Sequence, residues 1–331
     1  MERFALAAAV VLGFALTAAL CSLFVPLRRV LERREQNQQP VQPEQPRPVP
    51  LRAPLWGGLC AAAGTVAAVG VGWLAACVGQ PELLGSEGRL MTRLLTALAG
   101  SLAFGAVGLA EDLARMRSPA ALGLRRDVRL LLEALAAAFV LLLLQAAGCL
   151  PRGLDVPGAG YVLLGSAVPF LWAVLMVALA ECARIAERDE GTVCGAAFVA
   201  MLALMMAEAG LGVPGLAVLP AALAGALVAL LLWAFPPARL GVGCCGSLLA
   251  AGAIGCIPLS LDMTSLTVPL ALPFWAAGGL LAAQLLCAKR TGKPLRCWVK
   301  KHKMSPETVF LCSFALSAVG YVLALALLRW C

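Results

Sequence analysis

Charged residues are scarce in this sequence. They make up 13% of its 331 residues, whereas soluble globular proteins contain about 25%. Because 61% of the residues are hydrophobic and the mean hydropathy is +0.90, the chain cannot cover itself with a water-facing surface. The composition therefore excludes a soluble enzyme, a disordered chain and a nucleic-acid-binding module.

Histidine is almost absent, with a single residue in the chain. The 13 cysteines stand mostly alone in apolar segments, without the spacing of metal ligands. A zinc site built from cysteine and histidine is therefore not supported, and we interpret the cysteines as small buried hydrophobic residues.

Long apolar runs, in contrast, are abundant. A bilayer core about 30 Å thick requires about 20 apolar helical residues for each crossing, and ten runs reach or approach this length. The sequence predicts an all-α integral membrane protein, with residues 1–331 forming one polytopic domain of about ten transmembrane helices. The runs are 4–26, 55–79, 94–110, 130–150, 160–180, 192–210, 215–234, 246–259, 267–288 and 309–328.

The basic residues indicate the orientation of these spans. If both termini are outside, 21 of the 26 lysines and arginines fall in the inner loops, as the positive-inside rule requires. The net charge of +8 is then an orientation signal, and no nucleic-acid partner is needed to explain it. Two cytoplasmic loops stand out, a Pro/Gln-rich loop over 27–54 and a basic loop over 289–308. A secretory signal in the first run is disfavoured, because its basic cluster follows the run.

The inner loops concentrate acidic, arginine and glycine residues, whereas the outer loops are short and poor in polar groups, so we expect a cytoplasmic-facing cleft. The first cluster is Glu111 with Asp112, at the inner end of the third run. Adjacent carboxylates can hold Mg²⁺ together with a substrate diphosphate. The alternative is that they form ion pairs with Arg115 and Arg117.

A glycine-rich segment over 235–248 forms the second cluster. A helix starting near Gly246 would direct its amide hydrogens toward an anion, although a simple close-packed turn explains the glycines equally well. The third cluster, 181–191, is acidic, and its carboxylates either serve the cleft or pair with Arg184 and Arg188. The fourth, 294–303, is strongly basic and would attract anionic lipid or clamp phosphates.

Taken in order, these segments resemble the phospho-N-acetylmuramoyl-pentapeptide transferase (MraY) family of polyprenyl-phosphate glycosyl-1-phosphate transferases, similar to glycosyltransferase family 4. Residues 237–239 and 243–248 resemble the family's PAK and FMGDTGSL motifs. Residues 108–113 with 122–124 resemble GFIDDY and its downstream GL, and 54–58 resemble PTMGG. Residues 181–191 match NAVNLTDGLDG without a gap, and 294–298 match PIHHH.

The resemblance implies ten spans, external termini and a cytoplasmic site in a bacterial inner membrane. It also implies a Mg²⁺ cofactor and transfer of a sugar 1-phosphate from a UDP-sugar to undecaprenyl phosphate in cell-wall precursor synthesis. Glu111 and Asp112 are then the catalytic and metal-binding candidates. The candidate substrate-binding residues are Arg129, Glu187, Glu190, Arg239, Gly243, Gly246, Ser247 and Arg296.

The chemistry of the motifs departs from the family at several positions. Cys244 stands where the family has its metal-binding Asp, and a thiol is a soft ligand whereas Mg²⁺ selects hard oxygen. The three histidines of the last motif become Arg296, Cys297 and Trp298, and two Asn positions become Glu181 and Arg184. The sequence therefore leaves open whether the protein is an active transferase or a non-catalytic paralogue that binds lipid phosphate or acts as a scaffold.

Two further interpretations concern transport and assembly. Acidic groups inside spans mark ion paths, but only Glu133 and Glu208 come close, and Glu133 lies one turn from Arg129. A transporter is therefore disfavoured. Small residues in the spans permit close helix contact and a homodimer.

Overall fold

The computed structural model describes residues 2–38, 56–79, 88–117, 123–151, 153–156, 160–163, 165–187, 191–212, 215–236, 238–291 and 305–330. Within these ranges the chain is almost entirely helical. The helices are α1 (Glu2–Gln38), α2 (Gly57–Gly79), α3 (Gly88–Arg117), α4 (Arg126–Ala146), α5 (Ala167–Ala186), α6 (Thr192–Gly210), α7 (Val218–Ala234), α8 (Gly243–Ser260), α9 (Thr267–Leu270), α10 (Leu272–Thr291) and α11 (Pro306–Trp330).

Every predicted apolar run overlaps at least one helix of this list. Within the described ranges, seven helices are long and apolar enough to cross a membrane, or eight if a bent pair counts as one span, and α7 is a shorter apolar helix. The protein is thus a multi-pass helical membrane protein. The exact number of ten spans and the external termini stay predictions.

The ninth run is broken where the sequence predicted one continuous span. Thr264–Leu270 and the helix that begins at Leu272 are bent by 64°. Pro273 lies in the first turn of α10, where its missing amide hydrogen and fixed φ favour a helix start. The break at Ala271 therefore follows from the local sequence.

A two-stranded hairpin interrupts the helical pattern between α4 and α5. Its strands are β1 (Gly153–Val156) and β2 (Gly160–Leu163), paired antiparallel with Gly153 opposite Leu163. The predicted all-α class is confirmed, with this hairpin as a local exception that the sequence did not predict, and the fifth helical run begins at Ala167 instead of 160. Tyr161 and Val162 favour extended backbone, which the apolar content of the run concealed.

Helix α1 is longer than the first apolar run. It continues to Gln38, into the segment predicted as a Pro/Gln-rich loop. The remainder of that loop and most of the basic loop over 289–308 lie outside the described residues.

Helix α8 forms the centre of the bundle, and all of its residues are buried. It is surrounded by α2, α3, α5 and α6. Gly58 of α2 lies against the backbone of Gly246, and Gly108 of α3 lies against the backbone carbonyl of Cys244. Because these positions carry no side chain, the start of α2, the C-terminal part of α3 and the start of α8 meet at backbone contact.

The cysteines behave largely as predicted. The side chains of ten cysteines are described, all as free thiols, and seven of these are buried. Cys312 is exposed, while Cys149 and Cys182 are partly exposed.

Candidate functional site

Asp112 connects α3 to the first turn of α8. Its carboxylate accepts the backbone N–H of Cys244 at 3.1 Å and that of Cys245 at 2.9 Å. Helix α8 starts at Gly243, three residues before the predicted start, with a φ of 73° that favours glycine. The first amides of α8 do point at an anion, but that anion is a side chain of the same protein.

Arg115 lies among three carboxylates. Its guanidinium contacts Glu111 Oε1 at 2.7 Å, Glu187 Oε2 at 3.8 Å and Asp112 Oδ1 at 3.9 Å. Glu111 and Asp112 are 3% and 1% exposed at the side chain, so this charge is compensated inside the protein. The alternative interpretation of the first cluster, ion pairing with Arg115, is confirmed; Arg117 is exposed.

Cys244 completes this group. Its thiol is buried and donates to Glu187 Oε2 at 3.3 Å. Glu187 therefore reaches the position at which the family resemblance expects a metal-binding carboxylate. The acidic segment 181–191 thus contributes Glu187 to the group around Cys244 and Arg115.

Glu181 organises the other half of the cluster. Its carboxylate accepts from Arg129 Nε at 2.7 Å and from the guanidinium of Arg184 at 2.6 Å. Arg129 also lies 3.6 Å from Glu111 Oε1 and 4.0 Å from Glu133 Oε1. One guanidinium thus joins α3, α4 and α5, and it confirms the expected pairing of Glu133 with Arg129.

The described ion pairs form one network with an excess of acid. It contains five carboxylates, those of Glu111, Asp112, Glu133, Glu181 and Glu187, and three guanidinium groups, those of Arg115, Arg129 and Arg184. Glu111 Oε2 and both oxygens of Glu133 are buried without a hydrogen-bond partner. Among the described pairs, carboxylates thus outnumber guanidinium groups by two.

The donor set does not fit Mg²⁺. Both oxygens of Asp112 accept amide hydrogens of α8, and Oε1 of Glu111 is bound to Arg115. The remaining family position offers sulfur, which is a poor ligand for this ion. Among the described residues, no three acidic, cysteine or histidine side chains are arranged to hold a metal ion.

The other predicted residues have varied positions. Arg129 and Glu187 belong to the network, whereas Ser247 is buried and donates to the carbonyl of Gly243 at 3.0 Å within its own helix. Gly246 serves the contact of α8 with α2. Arg239 is exposed in the loop before α8. Glu190 and Arg296 lie outside the described residues.

Sequence reasoning did not include Arg115, Arg184 and Glu181 among the candidate site residues. The signals were present, since Glu111 and Arg115 are four residues apart and Glu181 and Arg184 three apart on helices, the spacings at which side chains meet. What the sequence did not reveal was that both pairs enter one network.

Comparisons with known proteins identify the family of the chain. Residues 94–262, which include every residue of the network, match the family described as glycosyl transferase family 4. The chain is 28% identical over 265 residues to a phospho-N-acetylmuramoyl-pentapeptide-transferase of Mycobacterium tuberculosis, covering 72% of each chain. It is 32% identical over 170 residues to the protein of that name from Desulforudis audaxviator, covering 48% of this chain and 50% of the relative.

A third relative of the same name, from Synechococcus sp., is 30% identical over 212 residues, covering 63% of this chain and 55% of the relative. The family match spans more than half of the chain, and the motif order agrees with it. The chain belongs to glycosyl transferase family 4 and is an MraY-like member of that family.

Proposed function

We propose that this protein keeps the membrane frame of the sugar-phosphate transferases but no longer carries out Mg²⁺-dependent transfer. It acts instead as a non-catalytic binding or scaffold partner in cell-envelope synthesis, in the bacterial cell membrane. The observation that carries this proposal is the engagement of Asp112 by the amides of Cys244 and Cys245. The carboxylate that the resemblance expects to bind a metal ion instead holds α3 to the first turn of α8.

The ion-pair network supports the same conclusion. Arg115 already supplies positive charge to Glu111, Asp112 and Glu187. Transfer of a phosphoryl group depends on positioning and charge neutralisation, and the loss of one such contact can reduce the rate about 10²- to 10³-fold. In this cleft the metal-position carboxylate is replaced by a thiol and its neighbours are bound internally.

The charge balance also opposes a nucleotide diphosphate. Such a ligand is an anion, and the described network has two more carboxylates than guanidinium groups. Without a bound cation, like charges in a site of low dielectric repel strongly. Glu181 and Arg184 satisfy one another at 2.6 Å, at positions where the resemblance expects two neutral amides.

The direct test is release of UMP. Purified protein is incubated with UDP-sugars, undecaprenyl phosphate and Mg²⁺, and UMP is quantified beside an Asp112→Ala variant and the M. tuberculosis relative as positive control. We expect the protein and its variant to release equal, background amounts. Release that depends on Mg²⁺ and disappears in Asp112→Ala would overturn the proposal.

A second candidate is a transferase with a rebuilt site. One observation favours it: Glu187 reaches Cys244 at 3.3 Å and so supplies a longer carboxylate near the missing aspartate. In this case Glu187→Gln, in addition to Asp112→Ala, would abolish UMP release, whereas the primary proposal expects neither variant to differ from the starting protein.

A further inference from the structure

Helices α1 and α2 pack antiparallel in a register that two contacts define. Ala9 fills the space beside Gly72, and Thr17 fills the space beside Gly64. Eight residues forward along α1 thus correspond to eight residues backward along α2. Because Gly64 has no side chain, the two backbones approach closely at this level.

One further helical turn along this register brings two cysteines together. Cys21 follows Thr17 by four residues and Cys60 precedes Gly64 by four, so each lies on the same helix face as its neighbour in the register. Both are fully buried, with 0% and 1% exposure, so the register places their side chains next to each other in the interface between α1 and α2. Just beyond them, Phe24 and Trp56 stack at 5.7 Å.

We infer that Cys21 and Cys60 form a redox-sensitive dithiol that closes to a disulfide between α1 and α2. Disulfides form between residues whose Cα atoms are about 4.4–6.8 Å apart, a separation that close helix contact beside a glycine permits. Both residues are free thiols in the structure, which is the reduced form of the pair.

The oxidant that reaches this buried pair is molecular oxygen, which dissolves in the bilayer. The two Sγ–H bonds break and one Sγ–Sγ bond forms, so the thiols lose two protons and two electrons. Molecular oxygen accepts both and becomes hydrogen peroxide. Reversal by a small thiol would proceed through a mixed disulfide and requires α1 and α2 to separate locally, because both sulfurs are buried.

The position of the pair gives the bond a structural effect. The first amides of α2, those of Gly57 and Gly58, donate to the carbonyls of Gly241 at 3.2 Å and Val242 at 2.9 Å. Cys60 lies within the first turn of α2, so the disulfide would anchor α1 beside the segment that leads into Cys244. The dithiol is independent of whether the cleft is catalytic.

The test uses the full-length protein in membranes. It is oxidised with oxygen and copper phenanthroline as catalyst, blocked with N-ethylmaleimide, and digested without reduction for mass spectrometry. We expect a peptide pair linked through Cys21 and Cys60, and loss of maleimide labelling at both residues after denaturation. Dithiothreitol should restore the labelling.

Two variants make the result specific. Cys21→Ser should abolish the linked peptide, whereas Cys312→Ser, which removes an exposed cysteine, should leave it unchanged. Recovery of both thiols unlinked from the oxidised starting protein would overturn the inference. So would a link from Cys60 to Cys245 in place of Cys21. The wild-type map alone decides between these outcomes, even if a variant fails to fold.

Discussion

The thiol of Cys244 lies beside Glu187 at 3.3 Å, within a group whose nearest cation is Arg115. Cys244→Asp would add a carboxylate to a network that already has an acidic excess. We expect this variant to be destabilised by about 1–3 kcal/mol without divalent ions, because the new charge is buried without a partner. Its melting temperature in detergent, measured with and without Mg²⁺, should rise with the ion.

Cys244→Ser provides the matched control, since a hydroxyl can also donate to Glu187. This variant should show no response to Mg²⁺. An Asp variant as stable as the starting protein in chelator would show that the network tolerates another negative charge, contrary to the ion-pair description.

Glu181 and Arg184 stand at the two positions where the family resemblance expects neutral Asn side chains. Their side chains are 23% and 15% exposed and 2.6 Å apart, so water screens the pair only in part. A double-mutant cycle of Glu181→Gln and Arg184→Gln should give a coupling of about 0.5–3 kcal/mol in the free energy of unfolding. Arg117→Gln, at an exposed arginine, should change stability little. A coupling near zero would mean that the two charges are held independently.

At the scale of elements, helix α2 offers two glycines in contrasting environments. A Cβ at Gly58 would overlap the backbone of Gly246, whereas nothing lies within 4 Å of a Cβ at Gly70. Gly58→Ala should therefore destabilise the protein by about 1–3 kcal/mol, as overpacking does. Gly70→Ala should be neutral or stabilising by up to about 1 kcal/mol, because alanine is the better helix former.

The measurement is thermal unfolding of both variants in the same detergent. Equal melting temperatures for the two variants would contradict the backbone contact between α2 and α8.

The helices themselves could be predicted from the sequence because apolar runs are local signals. Thr192–Gly210 was predicted to the residue. The hairpin at 153–163 was missed, since Tyr, Val and Leu suit a strand and a membrane helix equally well. The network was not predictable as a whole, because Asp112 meets Cys244 across 132 residues of chain and Arg129 meets Glu181 across 52. Such meetings depend on helix arrangement and not on local composition.

At the scale of the whole molecule, the distribution of basic residues predicts external termini. Alkaline phosphatase, which is active only outside the cytoplasm, should be active when fused after residue 331. Green fluorescent protein should fluoresce when inserted in the loop before α8, near Arg239, and stay dark at the C-terminus. Fluorescence at the C-terminus would reverse the orientation and place the network on the outer side.

Helix α8 touches protein on all sides, and the long helices that enclose it, α2, α3, α5 and α6, all precede it in the chain. During synthesis the four surrounding helices are therefore made before α8. Packing at the centre of the bundle can be completed only after this 18-residue segment has been synthesised. Chains that end before Gly243 would lack the helix on which α2, α3, α5 and α6 converge, and we expect them to be degraded faster in the membrane than chains that extend beyond Ser260.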